Sequence, residues 1–159
     1  MEIDKKLMNI HDYLVYSADL TPEDSGFYYV AVNHAPFSEE ILVCQEWNTQ
    51  GEDQEDAVDM AKDLIITLAE CFIEEKAVFP AAVPLKQGQF EVKLPYHVAL
   101  KIMLRNLMIT EQCRITDLAL YSGVSKQKVR KQLDLRRKTH IDTLAQFFKA
   151  LGHPLKIEC

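Results

Sequence analysis

The sequence predicts an α+β chain, with a β-rich unit of order β-β-β-α-β followed by an all-helical one. Three observations carry this. Short runs of Val, Ile, Leu and Tyr bounded by turn residues fill the first third, as short strands do. From Asp53 the apolar spacing changes to alternating threes and fours, which is one face of a helix. The charge then changes sign at Pro95. Twelve Lys and Arg stand against five Asp and Glu from there onward, and six against nineteen before it, so units of +7 and −13 make up the net −6. The boundary therefore falls between residues 1–94 and 95–159. An asymmetry of this kind points to two partners: a polyanion for the basic unit and a basic protein for the acidic one.

The first strands are read at 13–20 (YLVYSADL), 26–33 (GFYYVAVN) and 41–47 (ILVCQEW), with TPEDSG as the first turn. A helix is expected from Asp53 to Ala77, on Val58, Ala61, Ile65, Leu68 and Phe72, with Ala57, Met60, Leu64 and Cys71 widening the stripe until it can cover a sheet. Asp53 is the expected N-cap, and Glu55, Asp56 and Asp59 favour the first turns, where the helix dipole welcomes negative charge. Two prolines in FPAAVPLKQGQ end the helix, and FEVKL (90–94) alternates as a half-buried strand does. Beyond Pro95, helices are read at 96–109, 115–123, 125–134 and 141–152. Thr116, Ser125 and Asp142 are the expected N-caps and Gly152 a C-terminal stop. HPLKIE is read as a short closing strand that could pair between subunits.

Composition excludes several function classes. A chain 48% hydrophobic and 26% charged belongs with globular proteins rather than disordered ones. No apolar run approaches the roughly 20 residues of a membrane helix, so no membrane association is expected. MEIDKKLMNIHDYLVY has charges throughout and no apolar core of a signal peptide, which makes the cytoplasm the expected location. Cys44, Cys71, Cys113 and Cys159 have no C-x-x-C spacing, and His11, His34, His97, His140 and His153 are scattered. No metal or other cofactor is expected. Asp19, Glu23, Asp24 and Glu46 lie near strand ends but at no diagnostic spacing, and no nucleophile or phosphate-loop motif occurs, so no catalytic residue is assigned.

One stretch stands apart from its acidic context. YSGVSKQKVRKQLDLRRK (121–138) holds seven cations. Ala119, Gly123 and Val129 have the offsets of a helix-turn-helix: a small residue that lets two helices approach, a turn glycine free to take positive φ, and an apolar pin in the second helix. Ser125 caps that second helix, whose N-terminal end would enter the major groove with Lys126, Gln127, Arg130 and Lys131 outward. Gln pairs well with adenine, and Arg or Lys with guanine. Arg136, Arg137 and Lys138 follow in a loop suited to phosphates. The DNA-binding set is thus Ser125, Lys126, Gln127, Lys128, Arg130, Lys131, Arg136, Arg137 and Lys138.

This segment resembles the Cro/CI-type helix-turn-helix family, where a later helix reads D-x-L-x-x-x-x-x-A-L-G; Asp142, Leu144, Ala150, Leu151 and Gly152 match. Gln132 departs from it, since an aliphatic residue usually stands three positions after the pinned Val. The chain as a whole, from about Tyr13, is similar to the HicB antitoxins. SGFYYVAV, then Thr49-Gln50-Gly51-Glu52 leading an acidic helix with Ala57 and Ala61, then FEVKL and LPYHVALKIMLRNLM carry that resemblance. The extended Met1–Asp12 and the insert NHAPFSEE depart from it.

The resemblance implies an N-terminal partial RNase H-like unit without catalysis. It implies that this unit covers the active site of a small basic mRNA-cleaving toxin of the HicA type, and that the C-terminal unit binds operator DNA to regulate its own operon. Reading two half-sites about one helical turn apart calls for a homodimer or homotetramer. Toxin-contacting residues are not assigned; Glu52, Asp53, Glu55 and Asp56 qualify by charge alone, and a role confined to capping the helix is the stronger reading. The alternative is a stand-alone helix-turn-helix repressor whose acidic unit senses a ligand or another partner.

Overall fold

The computed structural model describes residues 9–38, 41 and 46–155. A short helix α1 (His11–Leu14) leads into β1 (Val15–Pro22), which turns back through Gly26 into β2 (Tyr28–Asn33). β3 (Asn48–Gly51), the long helix α2 (Gln54–Glu74) and β4 (Phe90–Lys93) follow. The sheet is antiparallel, in the order β3-β2-β1-β4. Its register places Ala18 opposite both Val32 and Phe90, and Tyr16 opposite Val92. Tyr16, Ala18, Val30, Val32 and Val92 are buried at the two-residue period of a strand, and α2 packs across the sheet.

The third strand differs from its expected place. Residues 42–45 lie outside the described residues, while Ile41, Glu46 and Trp47 are not in a strand. Pairing with β2 begins where Val32 N donates to the Trp47 carbonyl at 2.8 Å and continues with Thr49 opposite Val30. The polar run NTQG supplies the strand because an edge strand needs a backbone in register more than apolar side chains. Gly51 then makes the corner. A Cβ added there would lie 2.3 Å from the Ala57 Cα, so only glycine lets β3 meet the first turn of α2.

α2 starts as its sequence indicates. The Asp53 carboxylate accepts from Asp56 N, and the Asp56 carboxylate accepts from Glu52 N, both at 2.8 Å. Its buried stripe is Ala57, Ala61, Ile65, Leu68, Ala69 and Phe72. Ala57, Ala61, Ile65, Leu68 and Phe72 are buried as expected, whereas Val58 is half-buried and Met60 exposed; the small Ala57 is what fits beneath Gly51. After α2 the chain re-enters the core at Phe79. Its amide donates to Asn106 Oδ1 at 2.8 Å, and Asn106 Nδ2 returns a bond to its carbonyl at 3.0 Å. Tyr16 OH donates to the Pro80 carbonyl at 2.9 Å.

α3 (Tyr96–Thr110) is buried on nearly every side from Val98 to Met108, as a central helix must be. It packs against α1, α2 and α6, and the buried side chains form one cluster from Tyr13 to Phe148. α4 (Ile115–Ser122), α5 (Lys126–Leu133) and α6 (Ile141–Ala150) complete the chain. Two caps differ from expectation. The N-cap of α4 is Arg114, whose amide donates to Asp117 Oδ2 at 2.9 Å, two residues before Thr116; the N-cap of α6 is His140, leaving Asp142 as a first-turn acid. His153–Leu155 are irregular, and the rest of the expected closing strand lies outside the described residues. Among the described residues no helix is long and apolar enough to cross a membrane.

Candidate nucleic-acid interface

The basic stretch folds into two short helices joined by a tight turn. α4 ends at Gly123, which takes φ +71° and donates its amide to the Ala119 carbonyl at 3.0 Å. That left-handed conformation is open to glycine and costly for other residues, so one residue redirects the chain. Two residues later Ser125 caps α5, its Oγ accepting from Lys128 N at 3.2 Å. Val129 and Leu118 are fully buried, and Leu133 and Leu135 are buried with them.

With Val129 and Leu133 pointing inward, the outer surface of α5 is defined. Ser125, Lys126, Gln127, Lys128, Arg130 and Lys131 are all exposed. Gln132, the residue that departs from the helix-turn-helix pattern, is half-buried beside Leu133, which occupies the inner position four residues after Val129. The Gln132 carbonyl accepts from Thr139 Oγ1 at 3.0 Å, which ties the end of α5 to the chain entering α6.

The three cations of the following loop do not share one environment. All three are exposed, but their partners differ. The Arg136 guanidinium turns toward α2. It meets Asp63 Oδ1 at 2.5 Å, Glu70 Oε1 at 3.0 Å and Thr67 Oγ1 at 2.8 Å. These three partners share one face of α2, spaced four and three residues apart. Their carboxylates push the Arg136 pKa above its ordinary value, Asp63 first among them.

Sequence reasoning missed the residue beneath this loop. Lys101 of α3 is fully buried, and its ammonium donates to the Asp134 carbonyl at 2.7 Å and to the Arg137 carbonyl. Burial lowers its pKa to about 8, with the Asp134 carboxylate opposing the shift and Arg137 adding to it. His97, 3.4 Å away on the same helix, is lowered as well, by burial first and by Lys101 second. The only sequence signal was a lone lysine inside HVALKIML, which reads equally well as a side chain snorkelling to the surface.

On the acidic side, Asp53 and Asp56 are engaged in capping α2, while Glu52 and Glu55 are exposed. Asp19 accepts from Asn33 Nδ2 at 3.1 Å and faces Gln89 Nε2 at 3.5 Å. Among the described residues no group of three or more His, Cys, Asp and Glu could hold a metal ion.

The family model of the HicB-like antitoxins of bacterial toxin-antitoxin systems matches residues 15–103, which take in the sheet, α2 and the first half of α3. The chain belongs to the HicB-like antitoxin family. Antitoxin HicB 1 of Photorhabdus laumondii subsp. laumondii is 34% identical over 142 residues, which cover 89% of this chain and 84% of that protein. Antitoxin HicB of Escherichia coli strain K12 is 30% identical over 142 residues, covering 89% and 96%. A match of that length in a chain of 159 residues necessarily spans the basic stretch 121–138. HicB antitoxins are regulatory proteins rather than enzymes, which agrees with a chain in which no catalytic residue is assigned.

Proposed function

We propose that this HicB-like antitoxin neutralises a small basic mRNA-cleaving toxin of the HicA type through residues 1–94 and binds operator DNA through a helix-turn-helix in residues 95–159. The observation that carries the DNA half is the α4–turn–α5 geometry. A left-handed Gly123, a Ser125 cap and a buried Val129 leave Gln127 and four cations on the outer face of one short helix. That surface can make bidentate pairs with base edges, while Arg137 and Lys138 reach phosphates. The toxin half rests on family membership, on the −13 charge of the first unit and on the attraction such a unit has for a basic nuclease. Three antiparallel strands, a helix laid across them and a fourth strand beside the first fit a reduced RNase H-like unit. Inhibition is then steric cover of the toxin's active site. Two recognition helices about one turn of DNA apart require a dimer or a tetramer.

The experiment is co-expression with the product of the adjacent gene. Co-purification, together with relief of that product's growth inhibition, supports the toxin half. A purified chain that neither binds nor silences its neighbour contradicts it. Retardation of a duplex from immediately upstream of the gene, and not of a scrambled duplex, tests the DNA half.

A further inference from the structure

A buried ammonium is costly unless acceptors surround it. Lys101 has them, and two are backbone carbonyls of one short segment, Asp134 and Arg137. Asp134 is also the residue that closes α5, so the ammonium stands at the carboxyl end of that helix, where the dipole favours a cation. The segment is folded on itself too. Asp134 Oδ1 accepts from Arg136 N at 2.9 Å, and the Asp134 carbonyl accepts from Arg137 N at 3.2 Å. From a second direction Arg136 ties the segment to Asp63, Thr67 and Glu70 of α2.

We propose that Lys101 is a positioning residue for DNA binding: it holds Asp134–Arg137 in one shape against α3, so that Arg137 and Lys138 face outward while Arg136 faces α2. Two consequences follow. The phosphate-facing set of this loop is Arg137 and Lys138, and Arg136 serves as an internal tie instead. And a side chain with no access to DNA controls affinity, by ordering the loop before DNA arrives. The DNA part of the inference rests on the operator reading above; the ordering of the loop does not.

The test uses the full chain and two readouts. The first is amide exchange at Arg136 and Arg137 in wild type and Lys101→Met. The second is binding of a labelled duplex of about 30 base pairs from directly upstream of the gene, long enough for two half-sites. It is measured for wild type, K101M, the R137A/K138A double variant and the triple variant. K101M is expected to speed exchange at both amides and to weaken duplex binding about tenfold, the scale of one lost ordering interaction. In the R137A/K138A background the added loss should fall below about twofold, because a positioning residue acts only through the groups it positions. Unchanged exchange in K101M overturns the inference, and so does an equal loss in both backgrounds. If R137A/K138A weakens binding and K101M does not, the Lys101 inference falls alone. If the wild type ignores the duplex, the operator reading falls and the DNA part of this inference with it. Should K101M not fold, K101Q, whose uncharged amide has two N–H donors but ends one bond short of the ammonium that spans both carbonyls, takes its place with the same expected directions of change.

Discussion

α2 and α5 are both amphipathic, yet they are held in place by different means. α2 is 21 residues long and rests on a continuous buried stripe, with Ala57 and Ala61 letting it approach the sheet and Phe72 reaching into an aromatic cluster with Phe37, Trp47 and Phe79. α5 is eight residues long and buries only Val129 and Leu133. A helix that short is not stable by itself. Its position comes from the glycine turn before it, the serine cap at its start and the pinned loop after it. The difference teaches where each helix can afford surface charge. α2 can carry acids along its outer side because burial secures it. α5 can give most of its surface to cations because its ends secure it.

Each helix can be loosened separately. Phe72→Ala should be the largest effect, since it empties a fully buried aromatic site; a loss of about 3–5 kcal/mol is expected in urea unfolding. A loss below about 1 kcal/mol would mean that the aromatic cluster does not hold α2 to the sheet. Gly51→Ala comes next. The new methyl would overlap the Ala57 backbone, and overpacking of this kind costs about 1–3 kcal/mol. An unchanged urea midpoint would show that the β3 corner can shift, and that Gly51 is not what seats the helix.

At α5 the expected losses are smaller and come from the ends. Ser125→Ala removes one cap and should cost about 1 kcal/mol, seen as a lower thermal midpoint with unchanged secondary structure. Arg130→Ala should be smallest of all for stability, within about 0.5 kcal/mol, because the side chain is exposed. A larger loss would mean that Arg130 has a structural role, and it would weaken its assignment to DNA.

What could be read from the sequence follows the same division. Local chemistry was legible. The Asp53 and Ser125 caps, the Gly123 turn, the inward Val129 and strand β4 all follow from residues within a few positions of one another. Partnerships distant in sequence were not. The third strand was placed on the apolar run 41–47, but register with β2 puts it at Asn48–Gly51. Arg136, read as a phosphate contact beside Arg137 and Lys138, is also tied to α2. Its carboxylate partners lie 66 and 73 residues away, and no local spacing announces them. Lys101 was hidden for the same reason, with acceptors 33 and 36 residues away. The Thr49-Gln50-Gly51-Glu52 signature is an intermediate case: recognisable as a pattern, but explained only once Gly51 is seen against Ala57.

In the proposed function the outer face of α5 reads DNA while the loop after it grips the backbone. The most direct measurement is the salt dependence of binding to the upstream duplex, for wild type and for Gln127→Ala, Arg130→Ala and Arg137→Ala. Gln127→Ala and Arg130→Ala should each cost about 1–3 kcal/mol and erode the preference over a scrambled duplex. Arg137→Ala should weaken binding to both duplexes alike and reduce the slope of log affinity against log salt by about 1. If all three substitutions leave affinity, preference and slope at their wild-type values, α5 is not the reading helix.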